Sequence, residues 1–167
     1  MSATNKYKPH ILVLPEDDAN RQIANGFLLN PDLNERAIQV LPIIGGWGKV
    51  VDEFENVHTP EMQKYPERRL VLIIDFDDHA ERLGLVKDKI PKELSDRVFI
   101  LGVLSEPEDL KASLRKNFED LGRSLSQDCS DNTRRVWGHD LLKHNETELG
   151  RMVSSVKPFL FKQIANI

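Results

Sequence analysis

The stretch 69–78, RLVLIIDFDD, constrains the fold more than any other: five consecutive apolar residues, Leu70 to Ile74, run directly into three aspartates within four positions. A β-branched and Leu-rich run of that length reads as a strand buried on both faces, the pattern of a parallel sheet covered by helices on either side. Asp75, Asp77 and Asp78 emerge at its carboxyl end, where open α/β sheets place their binding sites. The plain structural alternative is that Asp75 caps a loop or the next helix while the other two are solvated. Partners supplied by other segments would favour a site.

Three further runs repeat the pattern. HILVLP, residues 10–15, precedes PEDDANRQIANGFLL, in which Ile23, Phe27 and Leu28 share a helical face. AIQVLPII, residues 37–44, leads into GGWGKVVDEFENV, a glycine turn and then a short helix carrying Val50, Val51 and Phe54. HTPEMQKYPER reads as a loop or helical turn, LVLIID as the third strand, and about residues 79–96 as a polar, proline-broken connection. RVFILGVL, residues 97–104, is the fourth strand. It enters SEPEDLKASLRKNFEDLGRSL, predicted as one helix with Ser105 as N-cap, Glu108 at capping-box spacing, and Leu110, Leu114, Phe118, Leu121 and Leu125 on one face. From Asp131 the chain reads as helical: RRVWGHDLLK, a capping-box start at Asn145 with Glu148, then ELGRMVSSV and, past Pro158, FLFKQI.

Alternating strands and helices predict an α/β fold: a mainly parallel sheet of about four strands flanked by helices, with a helical C-terminal extension. The 167 residues, 40% hydrophobic, suit a single domain, about 10–128 forming the α/β core and about 131–167 the extension. The apolar runs are too short to span a bilayer, and MSATNKYKPH lacks the layout of a signal peptide, so a cytoplasmic location without membrane association is expected. Cys129 is the single cysteine, which excludes an internal disulfide and a multi-cysteine zinc site; its flanks, QDCSDN, carry no base to activate it.

In a parallel sheet the carboxyl ends share one edge. The acidic group after strand one, the glycine turn after strand two, the aspartates after strand three and SEPED after strand four therefore collect there. Carboxylates converging without histidine or cysteine are hard oxygen ligands, suited to Mg²⁺ or Mn²⁺, and a divalent cation keeps several of them ionised together. Such an ion would serve phosphoryl chemistry. Gly45 and Gly46, with Lys49 beside them, are the candidate phosphate contacts, although GGWGKV lacks the spacing of a Walker motif and the glycines also serve simply to turn the chain.

HILVLPEDDANRQIANGFLL, VLPIIGGWGKV, LVLIIDFDD and FILGVLSEPEDL follow one another as the landmarks of the Toprim domain do, and residues 10–115 resemble that family. Its fold is shared by topoisomerases, primases and a range of small or ATPase-associated nucleases. The resemblance implies Mg²⁺-dependent, nuclease-type processing of phosphodiesters. In that case Asp75 and Asp77 bind the metal, Glu16 acts as base or further ligand, Asp18 joins the acidic set, and Glu106 or Glu108 completes it. It also implies a nucleic-acid substrate, DNA or RNA, and an ATPase partner protein; homo-oligomer formation stays open. The first motif departs from the family's Glu-Gly. Matching Asp18 to the later acidic residue puts the motif glutamate on Leu14 and its glycine on Pro15, which would leave a catalytically inactive interaction module. Matching Glu16 instead puts Asp17 on the glycine and keeps the acidic set intact. Glu16 is preferred because it lies at the strand terminus.

HILVLPEDDANRQ and VKPF also resemble a response-regulator receiver domain, with Asp75 as phosphoacceptor and Lys157 expected after a fifth strand. The glycine-rich turn, the Asp-x-Asp and the helical look of ELGRMVSSVKPF favour Toprim. His139 and His144 are five apart, not the four that places two ligands on one helical face, and read as surface or packing residues. His79 reads as incidental, and Trp137 with Leu141 and Leu142 as a core contact. With a net charge of −4 the chain has no globally basic surface, but Lys111, Arg115 and Lys116, or Arg134 and Arg135, form local clusters that would hold nucleic acid or be solvated.

Overall fold

The computed structural model describes residues 4–162. Its centre is a four-stranded, all-parallel sheet in the order β2-β1-β3-β4, formed by His10–Pro15 (β1), Ile38–Val40 (β2), Arg68–Ile73 (β3) and Val98–Leu101 (β4). Leu12 pairs with Gln39 on one side and Leu70 on the other, and Leu72 pairs with Ile100. The apolar runs bury both faces. Ile11, Val13, Val71, Phe99 and Leu101 point to one side, while Leu12, Leu14, Leu70, Leu72, Val98 and Ile100 point to the other. This two-sided burial is what the unbroken apolar runs predict.

The first face is covered by Asp18–Phe27 (α1), Phe118–Asp131 (α6) and Glu146–Leu160 (α7). Helices α1 and α6 cross almost backbone to backbone: a methyl group on Gly122 would lie 1.9 Å from the Ile23 carbonyl oxygen. The second face is covered by Trp47–Glu53 (α2), a π-helical turn over Phe54–His58, Thr59–Lys64 (α3) and Arg82–Lys87 (α4). Among the described residues no helix is long and apolar enough to cross a membrane.

Several elements differ from the sequence reading. The second strand covers three residues rather than 37–44, because Pro42 cannot donate to the ladder and the chain turns away. The helix after β4 is two helices, Pro107–Leu114 (α5) and α6, broken where Arg115 adopts a left-handed conformation. Asn117 caps α6 through its side chain, which accepts from the Asp120 N–H at 2.7 Å. Ser105 caps nothing; Glu106 occupies that place without a side-chain bond, and Pro107 opens the helix. The segment around RRVWGHDLLK is a series of turns, not a helix, because the Asp128 carboxylate gathers the N–H groups of Arg135, Val136 and Trp137.

The predicted capping box at Asn145 and Glu148 is also absent. Asn145 is helical and makes no cap bond. Its amide instead accepts from the Gly102 N–H (3.1 Å) and donates to the Gly102 carbonyl (2.9 Å), and Glu148 accepts from the Ile100 N–H (3.2 Å). Both side chains close the outer edge of β4, which would otherwise present unpaired backbone groups. Glu148 is 1% exposed, and Arg151 (2.7 Å) and Lys87 (3.0 Å) balance its charge. Pro158 sits inside α7 near its end, and FLFKQI beyond Lys162 lies outside the described residues.

Candidate functional site

The carboxyl edge of β1 and β3 holds the acidic groups. Glu16 follows β1 directly, its N–H still bonded to the Ile73 carbonyl (2.9 Å), which aims its side chain across β3. There its Oε2 accepts from the Asp75 N–H at 2.5 Å. Asp75 is held from α1, where Asn20 donates its side-chain amide to Oδ1 (2.9 Å). Asp17 caps α1 by accepting from the Asn20 N–H (3.0 Å), and its negative charge bears on Asp75. Glu16 and Asp75 are each 8% exposed and Asn20 only 1%.

Beyond Asp75 the chain stays tied to the segment that follows β4: Phe76 donates to the Val103 carbonyl (3.1 Å), Asp77 to Ser105 (3.1 Å) and Asp78 to Leu104 (2.7 Å). Asp77 and Asp78 have φ of 50° and 62°, left-handed conformations that aspartate tolerates better than most residues but that still cost free energy. Arg82, at the start of α4, donates to the Asp75 carbonyl (2.6 Å) and to Asp77 Oδ2 (3.0 Å), with its guanidinium 4.6 Å above the Trp47 ring. It is the one cation bonded to this acidic group among the described residues.

Burial and mutual repulsion raise the proton affinity of the edge. Asp75 is pushed up to about 8, first by burial and then by the neighbouring Asp17 and Glu16 charges, against the opposing bond from Asn20. Glu16 is raised by burial, partly offset by the Asp75 N–H, with Asp17 and Asp77 adding repulsion. At the rim Glu106 is raised by Asp109 and Glu108. Glu148, more deeply buried, is bonded to two cations, whereas the Glu16 and Asp75 carboxyls have none among the described residues.

Asp18 is exposed and spends its carboxylate on Arg21 (2.5 Å) and Gln22 (2.7 Å), outside the Glu16–Asp75 cluster. Glu108 lies on the first turn of α5 and faces a surface hollow with Lys111 and Arg115. Gly45 and Gly46 both have the positive φ expected of the turn, 89° and 87°. The Gly45 N–H is already bonded to the Glu16 carbonyl (2.9 Å), which leaves Gly46 as the free donor of the pair; Lys49 is exposed in the first turn of α2. Lys157 is exposed on α7, with no strand before it. Cys129 is buried with its thiol pushed up to about 12, an inert core residue. Sequence reasoning passed over Asp17, Asn20 and Arg82. Their available signals were weak: an N-cap spacing for Asp17, and a lone base after an acidic run for Arg82.

The donors at the edge are all hard oxygens with excess negative charge, which fits Mg²⁺ or Mn²⁺. Among the described residues no three acidic, histidine or cysteine side chains are already gathered around one point where an ion could sit. That too is compatible with Mg²⁺, which is commonly held by one or two carboxylates together with water and substrate phosphate rather than by an all-protein cage. No family model, curated protein or solved structure matches the chain, so the acidic edge itself carries the functional assignment.

Proposed function

We propose that the chain is a Toprim-like, Mg²⁺-dependent protein that processes phosphodiesters of nucleic acid, of nuclease type. One observation carries this reading: Glu16 and Asp75 are buried side by side, the Glu16 carboxylate accepting from the Asp75 N–H, and among the described residues no cationic side chain bonds either carboxyl. Asp75 and Asp77 would hold the ion, with Glu16 as a further ligand or general base. When bound, the ion supplies Lewis-acid polarisation of a phosphoryl oxygen. Asn20 fixes the Asp75 carboxyl and Arg82 restrains Asp77, while Gly46 and Lys49 would contact the phosphate. The resemblance further implies an ATPase partner protein, and the cytoplasmic setting expected from the sequence belongs to the same proposal.

The proton on Asp75 and the cation compete for the same oxygens, so binding should strengthen as pH rises through about 8. Titration with Mn²⁺ should show saturation and a rise in melting temperature for the wild type, as a ligand selective for the folded state requires. Asp75→Asn with Asp77→Asn should abolish both, together with metal-dependent cleavage of single- or double-stranded nucleic acid, while the protein stays folded. No binding of divalent ions at about millimolar concentration, a weak limit for functional cation sites, would assign an inactive interaction module instead. Modification of Asp75 by acetyl phosphate would assign the receiver reading, against which stands the helical placement of Lys157.

A further inference from the structure

We infer that the hollow at the α5–α6 junction is a second contact for nucleic acid, one that grips the phosphate backbone away from the acidic edge; this rests on the nucleic-acid reading above. The hollow is open, about 450 Å³, and bounded by Glu108, Lys111, Ala112, Arg115, Lys116 and Asn117. Three cations fall within six residues. Among the described residues none of the three forms an ion pair. The chain has 27 acidic against 23 basic side chains, so carboxylate partners are not scarce. Elsewhere on the nearby elements they are used: Arg123 pairs with Glu119 (3.8 Å) and Arg134 with Glu146 (2.9 Å). Even Glu108, on the same hollow, pairs with none of the three.

Two local features concern these cations. Arg115 terminates α5 with φ 53° and ψ 43°, a left-handed cap at which glycine or asparagine is the favoured residue. Keeping arginine there costs conformational free energy, and no internal partner of its guanidinium repays it. The Lys111 ammonium lies 4.9 Å from the centroid of the Phe118 ring, bridging α5 and α6 instead of ranging freely. The carboxyl end of α5 attracts cations, but its dipole amounts to only about half a negative charge. With Glu108 included, the hollow stays net positive, which suits an anion.

The anion that fits is a chain of phosphates. Helix α5 starts two residues after Ser105, whose carbonyl accepts the Asp77 N–H (3.1 Å). At 1.5 Å per residue the eight residues of α5 measure about 12 Å from that start to the end that carries Arg115. A helical strand rising about 3.4 Å per nucleotide covers that distance in three to four phosphates. A strand gripped at Lys111, Arg115 and Lys116 and running back along α5 would come to Ser105, which is bonded to Asp77 at the acidic edge.

The test is fluorescence anisotropy of a short labelled oligonucleotide with the full chain in EDTA, where the edge holds no metal. Wild type should bind, and Lys111→Gln/Arg115→Gly/Lys116→Gln should bind at least about tenfold more weakly at low salt. The slope of log affinity against log salt should shrink by about 2, as loss of three single-strand phosphate contacts requires. Arg115→Gly alone should weaken binding while raising the melting temperature, which separates the anion contact from folding. Asp75→Asn should bind as well as wild type or better. Equal binding by the triple variant, no binding by wild type at low salt, or equally tight binding of polyglutamate of matched charge would each overturn the inference. If Asp75→Asn abolishes cleavage and the triple variant keeps both cleavage and binding, only the hollow is refuted. If the triple variant loses binding while wild type shows no metal-dependent cleavage, the hollow stands and the proposed reaction falls.

Discussion

Asp75 keeps a proton at pH values where an ordinary aspartate has lost it, and the sign of its contribution to stability follows. Its ordinary value is 3.8 and its folded value about 8, so the fold favours the protonated form. Stability from this group is complete below pH 4 and is lost as pH rises through 8. Asparagine reproduces the protonated shape, since its oxygen can still accept from Asn20. Asp75→Asn should therefore stabilise the metal-free protein by about 2 kcal/mol or more at pH 8, each tenfold change in proton affinity being worth about 1.4 kcal/mol. The gain should vanish near pH 4. Urea unfolding at the two pH values measures it, and equal stability of wild type and variant at pH 8 would refute an uncompensated charge.

At the scale of elements, α7 does two jobs. Its apolar face, with Leu149, Met152, Val156 and Leu160, fills one side of the core, and its first turn seals the β4 edge through Asn145 and Glu148. Asn145→Ala would leave the Gly102 N–H and carbonyl without these partners in a buried setting. A loss of about 2 kcal/mol is expected, the cost of stranding buried polar backbone. Hydrogen exchange should locate it, with faster exchange at Gly102. Unchanged exchange there would mean that β4 is closed by other means.

For the whole molecule, buried histidines oppose the acidic edge. His10 is fully buried: its Nε2 accepts from Arg68 Nε (3.1 Å), so its Nδ1 carries the proton donated to the Lys8 carbonyl (2.8 Å), and the ring is neutral. Burial lowers the proton affinity of His10, His58 and His144 alike. Each contributes stability that is present above pH 6.5 and lost as pH falls below it. Asp75 and Glu16 act in the other sense, losing stability as pH rises. Melting temperature without metal should therefore fall as pH rises from about 6.5 to 8, where the histidines are neutral in both states and Asp75 loses its proton. Mg²⁺ should raise it more at pH 8 than at pH 6, since the ion favours ionised carboxylates; an equal rise at both values would place the ion elsewhere.

The four strands, their parallel arrangement and the acidic edge could be read from residue order because each rests on local chemistry. Runs such as Leu70–Ile74 have no hydrophilic face, so helices must cover both sides, and parallel strands bring Glu16 and Asp75 to one end wherever the helices fall. Gly45 and Gly46 announced their turn for the same reason: few other residues accept their backbone conformation. What depended on distant partners stayed hidden. Asn145 and Glu148 have the spacing of a capping box, yet the unpaired edge of β4, 43 and 48 residues away, competes for them and wins. The turns of 134–137 depend on Asp128, and the protonated Asp75 depends on its burial and on the Glu16 charge, 59 residues away. Local propensity chose the elements; only the folded chain, by deciding which polar groups lose water and which partners remain, chose where the charges are satisfied and where they are left over.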